Sequence, residues 1–213
     1  MKNIIISKAP ARICLFGDHQ DYLGLPVIAC AIDKYMTVEG EVNSDGVLNF
    51  NLIELNQKVC IDINDDLSFI KKGDHLRAVI KTLRTFGCEI NLGMNIKVMS
   101  DIYINAGISS SSALTVSLVS FFIKVFGIKR QINKELIAEI AYHSEVIEQG
   151  GSGGKMDQYS IAIGNTTFLE TGSKFSYKEI DSGINSFIIA NSGVSKNTDG
   201  VLNLSLIHIS EPT

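Results

Sequence analysis

A chain of 213 residues, 45% of them hydrophobic, carries enough apolar surface for one large core or two small ones. A formal net charge of −4 without any Lys/Arg run argues against a nucleic-acid-binding face or a membrane patch. The longest apolar stretch, 114–128, is broken by Ser117, Ser120 and Lys124 and is too short to span a bilayer, and no signal-peptide core follows Met1.

Periodicity and turn chemistry predict strands over 11–16 and 27–32, joined by a polar loop at 17–25. Strands over 36–42, 47–51 and 59–63 follow at short intervals, separated by Ser-Asp-Gly and Asn-Gln turn signals. Leu76, Val79, Ile80 and Leu83 place a helix over 75–86, and 94–99 returns as a strand. A glycine and four consecutive serines at 107–112 then open a helix to about 126. Asn133 reads as the N-cap of a further helix through Glu148, and 155–163 as a short helix after a glycine loop at 149–154. Strands over 166–170, 177–180 and 187–190 close the pattern. The fold class is α+β, a mixed sheet with helices on one side. Cys14, Cys30, Cys60 and Cys88 stand singly without CxxC spacing, as small apolar residues of a reducing cytoplasm.

Three stretches carry chemistry. Residues 106–114, Ala-Gly-Ile-Ser-Ser-Ser-Ser-Ala-Leu, put a glycine and hydroxyls beside the free N–H groups of a helix start, which suits a phosphate. A flexible Ser-rich linker would lack the helical spacing of Val116, Val119, Phe122, Ile123 and Phe126. Arg12 and the run Gly17-Asp18-His19-Gln20-Asp21-Tyr22 crowd carboxylates, an imidazole and a phenol into one loop, suited to the hydroxyls of a small polyol or, equally, to an Asx-type turn. The third stretch is Gly150–Gly154 followed by Lys155-Met156-Asp157-Gln158. Its GxSxG match lacks the strand that a nucleophile elbow needs, and Met156 spoils both a Walker A loop and a GxGxxG fingerprint. Asp157 survives as an acid presented after a glycine loop, with helix N-cap as its ordinary role. Glu145 and Glu148, three apart, share a helix face and by themselves read as solvated surface.

Together these stretches resemble the GHMP kinase family of galactokinase, homoserine, mevalonate and phosphomevalonate kinases. Ala9-Pro10-Ala11-Arg12, 17–22 and 27–32 are most similar to the galactokinase signature, 107–114 to the family's ATP phosphate loop, and 154–158 to the segment bearing the catalytic aspartate. The resemblance spans 8–200 and implies the family's ribosomal-protein-like N-terminal β-α fold. It implies Asp157 as catalytic base with Arg12 beside it, and Asp18, His19, Asp21 and Tyr22 as substrate contacts. It further implies Gly107, Ile108, Ser109, Ser110, Ser111 and Ser112 as the ATP loop. Ser111 and Glu145, which stands twelve residues before Asp157, would be ligands of Mg²⁺. The implied activity is ATP-dependent phosphorylation of a sugar hydroxyl to a sugar 1-phosphate. A sugar- and ATP-binding regulator without turnover and a mevalonate-type kinase are the alternatives.

Asp18 stands where most galactokinases carry glutamate, Ala11 where they carry glycine, and Lys155 where a hydrophobic residue is frequent. The shorter Asp18 retracts its carboxylate, which points to a different sugar or a water-bridged contact. Residues 1–185 are expected to form the ATP and substrate domain. Residues 186–204 are expected to begin a C-terminal, ferredoxin-like domain that is largely absent, and 205–213 to be an appended, non-native tail.

Overall fold

The computed structural model describes residues 4–68, 70–103, 106–151, 153–184 and 186–190. Seven strands form one mixed sheet: β1 (Ile5–Phe16), β2 (Val27–Val42), β3 (Val47–Leu52), β4 (Gln57–Asp62), β5 (Met94–Ser100), β6 (Thr166–Glu170) and β7 (Ser176–Ile180). Four α-helices accompany it: α1 (His75–Thr85), α2 (Ser110–Phe126), α3 (Lys134–Tyr142) and α4 (Met156–Ile163).

The organising element is β2. β1 runs antiparallel along one of its edges, while β5 pairs with 36–42 and β6 with 27–30 on the other. The order is β4-β3-β5-β2-β6-β7, with β1 beside β2, and β3 with β5 supplies the parallel pairing. Two strands expected at 27–32 and 36–42 are therefore one. The polar Asp33-Lys34-Tyr35 segment continues the ladder because β1 follows it through a register shift between Pro10 and Ala11. The same pairing starts β1 at Ile5 rather than at residue 11.

Alternation along β5 buries Met94, Ile96 and Val98 and turns Asn95 and Lys97 outward, so one face of the sheet meets the helices. Helix α2 is buried on nearly all sides, with Leu118, Phe121 and Phe122 fully enclosed, because it lies between the sheet and the other helices. It approaches closely enough that a Cβ on Gly40 of β2 would meet the Phe121 ring. Two of its buried hydroxyls bond within the helix, Thr115 donating to the Ser111 carbonyl (3.0 Å) and Ser117 to that of Leu114 (2.8 Å).

Asn133 caps α3 as expected, its side chain accepting from Leu136 N–H at 2.8 Å. The helix does not continue regularly to Glu148, since His143–Ile147 form a π-helical turn. The strand expected over 187–190 does not form. These residues are irregular, with Ile188 fully exposed, and no strand pairs with them among the described residues. Cys30 and Cys88 are buried as expected, but Cys60 is exposed on β4, at the end of the strand order. Most of the expected second-domain onset and all of the expected tail lie outside the described residues.

Candidate active site

One cavity of about 530 Å³ gathers residues from the loop after β1, the start of α1, the start of α2, the π-turn and the start of α4. Arg12 from within β1, and Asp18, His19, Asp21 and Tyr22 from the loop after it, line one side. Ser111, Ser112, Glu145 and Asp157 line it from the others. Gly107, Ile108, Ser109 and Ser110 do not reach its wall, and Ile108 is instead part of the hydrophobic core.

Arg12 is the hub. Its side chain is only 7% exposed, and its guanidinium reaches Asp157 Oδ1 through Nε (2.8 Å) and Nη2 (2.6 Å). Nη1 donates to the Gly107 carbonyl at 3.0 Å, and the Arg12 N–H to that of Ile108 at 3.3 Å. The serine loop is thus fastened to β1 by the same residue that aims Asp157. Burial works against the Arg12 charge, yet the adjacent Asp157 charge and hydrogen bond leave its pKa raised.

Asp157 lies in the first turn of α4 without capping it. Its Oδ2 accepts the Ser109 hydroxyl at 2.6 Å. A carboxylate has about four acceptor positions. Two on Oδ1 face Arg12 and one on Oδ2 faces Ser109, which leaves an open position on Oδ2. Ser109 adopts a left-handed conformation (φ 59°) and makes no side-chain cap, so the first-turn N–H groups of α2 have no intrahelical acceptor.

The cap of α4 comes from far away in sequence. Asp21 Oδ2 accepts the Met156 N–H at 3.0 Å, and a Cβ on Gly154 would run into that carboxylate. Burial raises the Asp21 pKa, the Asp157 charge adds to it, and the Met156 and Tyr22 N–H groups oppose the rise. Asp18 is more open and lies 3.5 Å from His19 Nε2. Cys14, next to this loop, is pushed up to about 11 by burial and the Asp18 charge, so it stays a thiol rather than a nucleophile.

The π-turn separates the two glutamates that a regular helix would put on one face. Glu145 lines the cavity and accepts from Gln158 Nε2 at 2.7 Å, whereas Glu148 pairs with Lys81 at 2.5 Å. Lys72, Gly73 and His75, which motif reading missed, also line the cavity. Gln149 fastens Gly73 and His75: its Oε1 accepts from Gly73 N–H (2.8 Å), and its Nε2 lies 3.2 Å from His75 Nδ1. A Lys-Gly-Asp-His turn before a helix was the available signal.

With this geometry in view, the comparisons define the class. The GHMP kinases N terminal domain matches residues 74–165, and the galactokinase galactose-binding signature matches residues 2–41. The chain is a member of the GHMP kinase family and carries its N-terminal domain.

Among individual relatives, it is 34% identical over 171 residues to a galactokinase of Thermosipho africanus, covering 77% of this chain and 46% of that protein. It is 28% identical over 177 residues to a mevalonate kinase of Pyrococcus furiosus, covering 79% of this chain and 52% of that one. The fold matches the crystal structure of Lactococcus lactis galactokinase complexed with galactose, with a TM-score of 0.74 at 20% identity, covering 84% of this chain and 48% of that one. The chain spans about half the length of the curated relatives it matches. Both kinds of kinase are homologues, so likeness alone leaves the substrate open.

Proposed function

We propose that this chain supplies the ATP and acceptor site of a kinase that transfers the γ-phosphoryl group of ATP to a sugar hydroxyl, as galactokinases do, giving a sugar 1-phosphate. The observation that carries this is Asp157, 28% exposed, clamped by Arg12 and Ser109 on a cavity that Asp18, His19, Asp21, Ser111 and Glu145 also line. Its volume of about 530 Å³ lies within the range of small-molecule sites.

A sugar hydroxyl is far too weak an acid for a carboxylate of ordinary pKa near ~4 to ionise it beforehand. Phosphoryl transfer passes through a loose transition state, and the oxygen acidifies as its bond to phosphorus forms. Asp157 accepts the proton late, at its open Oδ2 position, while Arg12 holds the other oxygen. Asp18, His19, Asp21 and Tyr22 orient the acceptor. The start of α2, with Ser111 and Ser112, meets the phosphates, and the left-handed Ser109 fixes the loop between them and the base.

No group of three or more His, Cys, Asp or Glu suited to a metal occurs among the described residues. One hydroxyl and one carboxylate fit a cation that arrives on phosphates and keeps several waters, so Ser111 and Glu145 would hold Mg²⁺. Bound there, Mg²⁺ would neutralise phosphate charge. In this reading residues 1–185 form the ATP and substrate domain of a cytoplasmic enzyme.

The mevalonate kinases among the relatives favour a second acceptor, mevalonate. Coupled ADP release with galactose, other hexoses and mevalonate decides between them. Hexose-dependent ADP supports the sugar kinase, and mevalonate-dependent ADP replaces it. Sugar binding without ADP release leaves a regulator.

A further inference from the structure

Gln158 follows Asp157 in the first turn of α4, is 3% exposed, and lines the same cavity. Its Nε2 donates to Glu145 Oε2 at 2.7 Å, while its own Oε1 is buried without a hydrogen-bond partner. Exchanging the two ends of the amide would press Oε1 against a carboxylate, acceptor against acceptor, so Glu145 dictates the orientation. A buried carbonyl without a donor is unfavourable, and an apolar side chain of the same shape would avoid it. The glutamine therefore contributes little to stability at this position. What it supplies is a fixed donor to the carboxylate of Glu145, which sits in a π-turn.

We propose that Gln158 is a positioning residue that holds the Glu145 carboxylate in place for the divalent cation of the nucleotide. Adjacent residues of one helical turn then supply the base and fix the carboxylate of Glu145. Asp157 is turned to Arg12 and Ser109, and Gln158 fixes Glu145 from the other side. Glu145 Oε1 is left for the cation or its water shell. This inference rests on the phosphotransfer reading, because only a nucleotide-borne cation makes the orientation of Glu145 matter.

The test is Mn²⁺–ATP affinity, read by electron paramagnetic resonance on the full chain, together with thermal unfolding and the affinity for metal-free ATP. Gln158→Met should weaken Mn²⁺–ATP binding by about 10- to 100-fold, the range for outer partners of metal ligands. Metal-free ATP affinity should be unchanged, and the unfolding midpoint equal to wild type or higher. Gln158→Asn keeps the amide but shortens it by a methylene, so its donor falls short of Glu145, and it should weaken Mn²⁺–ATP binding as Gln158→Met does. A lower midpoint with unchanged Mn²⁺–ATP affinity in Gln158→Met overturns the inference alone. Wild-type chain that binds Mn²⁺–ATP no better than ATP overturns the phosphotransfer reading, and the inference falls with it.

Discussion

Gly154→Ala is a sharp probe of how the acceptor loop is tied to the helix that carries Asp157. A Cβ at 154 would collide with Cγ and both oxygens of Asp21, so the whole carboxylate must move and Met156 N–H loses its acceptor. Loss of a helix N-cap costs about 1 kcal/mol, up to roughly 2 where the cap is strong. Against this, Gly→Ala at a compatible backbone stabilises by about 0.4–1 kcal/mol through the unfolded chain. The single variant should therefore lose about 1 kcal/mol net when the cap is at its strong limit. In an Asp21→Ala background the obstructing carboxylate is gone, and the same substitution should be neutral or stabilising. The coupling expected across the double-mutant cycle is about 1–2 kcal/mol, well above the 0.3–0.5 kcal/mol scatter of independent sites. Urea denaturation of the four proteins, followed by circular dichroism, measures it. Additive effects would refute the Asp21 cap.

Further outcomes follow from the same site. Because burial raises the Asp21 pKa above its unfolded value, the native state binds more protons there than the unfolded chain does. Its favourable contribution is present below the unfolded pKa and is lost as pH rises through the folded one, so Asp21→Asn should gain stability relative to wild type between pH 4 and 7 in urea melts. A difference independent of pH would contradict the assignment. Arg12→Met leaves Asp157 with only the Ser109 hydroxyl as a side-chain donor and removes the donor to the Gly107 carbonyl. With Asp157 28% exposed, the loss should fall at the lower end of the buried-pair range, about 3 kcal/mol by denaturant titration. Asp157→Asn should reduce hexose-dependent ADP release by about 10²- to 10⁴-fold with little change in ATP affinity, a split visible in kcat against KM.

The chemistry-bearing loops were legible because their residue types are costly elsewhere. A run of serines at a helix start, or aspartates around a histidine, stands out from its neighbours in residue type, and Asp18, His19, Asp21, Ser111 and Ser112 come together on one cavity, whereas Ser109 and Ser110 stay off its wall. The sheet was legible in its alternation but not in its continuity. Asp33-Lys34-Tyr35 has the composition of a turn, and only the ladder with β1 carries β2 through it. Least legible were contacts between distant residues. Asp21 caps a helix 135 positions away, and a local reading of the loop finds polyol contacts or a turn, not a cap. Glu145 and Glu148 are equivalent at a spacing of three, and the π-turn that sends them to Gln158 and Lys81 leaves no mark in the sequence. Gln149 read as part of a glycine loop, while its amide holds the start of α1 against the site.

The most direct test of a shared nucleotide and acceptor site is amide chemical-shift mapping of the chain on titration with Mg²⁺–ATP and then with galactose. The nucleotide should shift residues 107–112 and Glu145, the sugar should shift residues 18–22, and both should shift Asp157. Nucleotide-induced shifts confined to surfaces away from the α2 start and α4 would contradict the account.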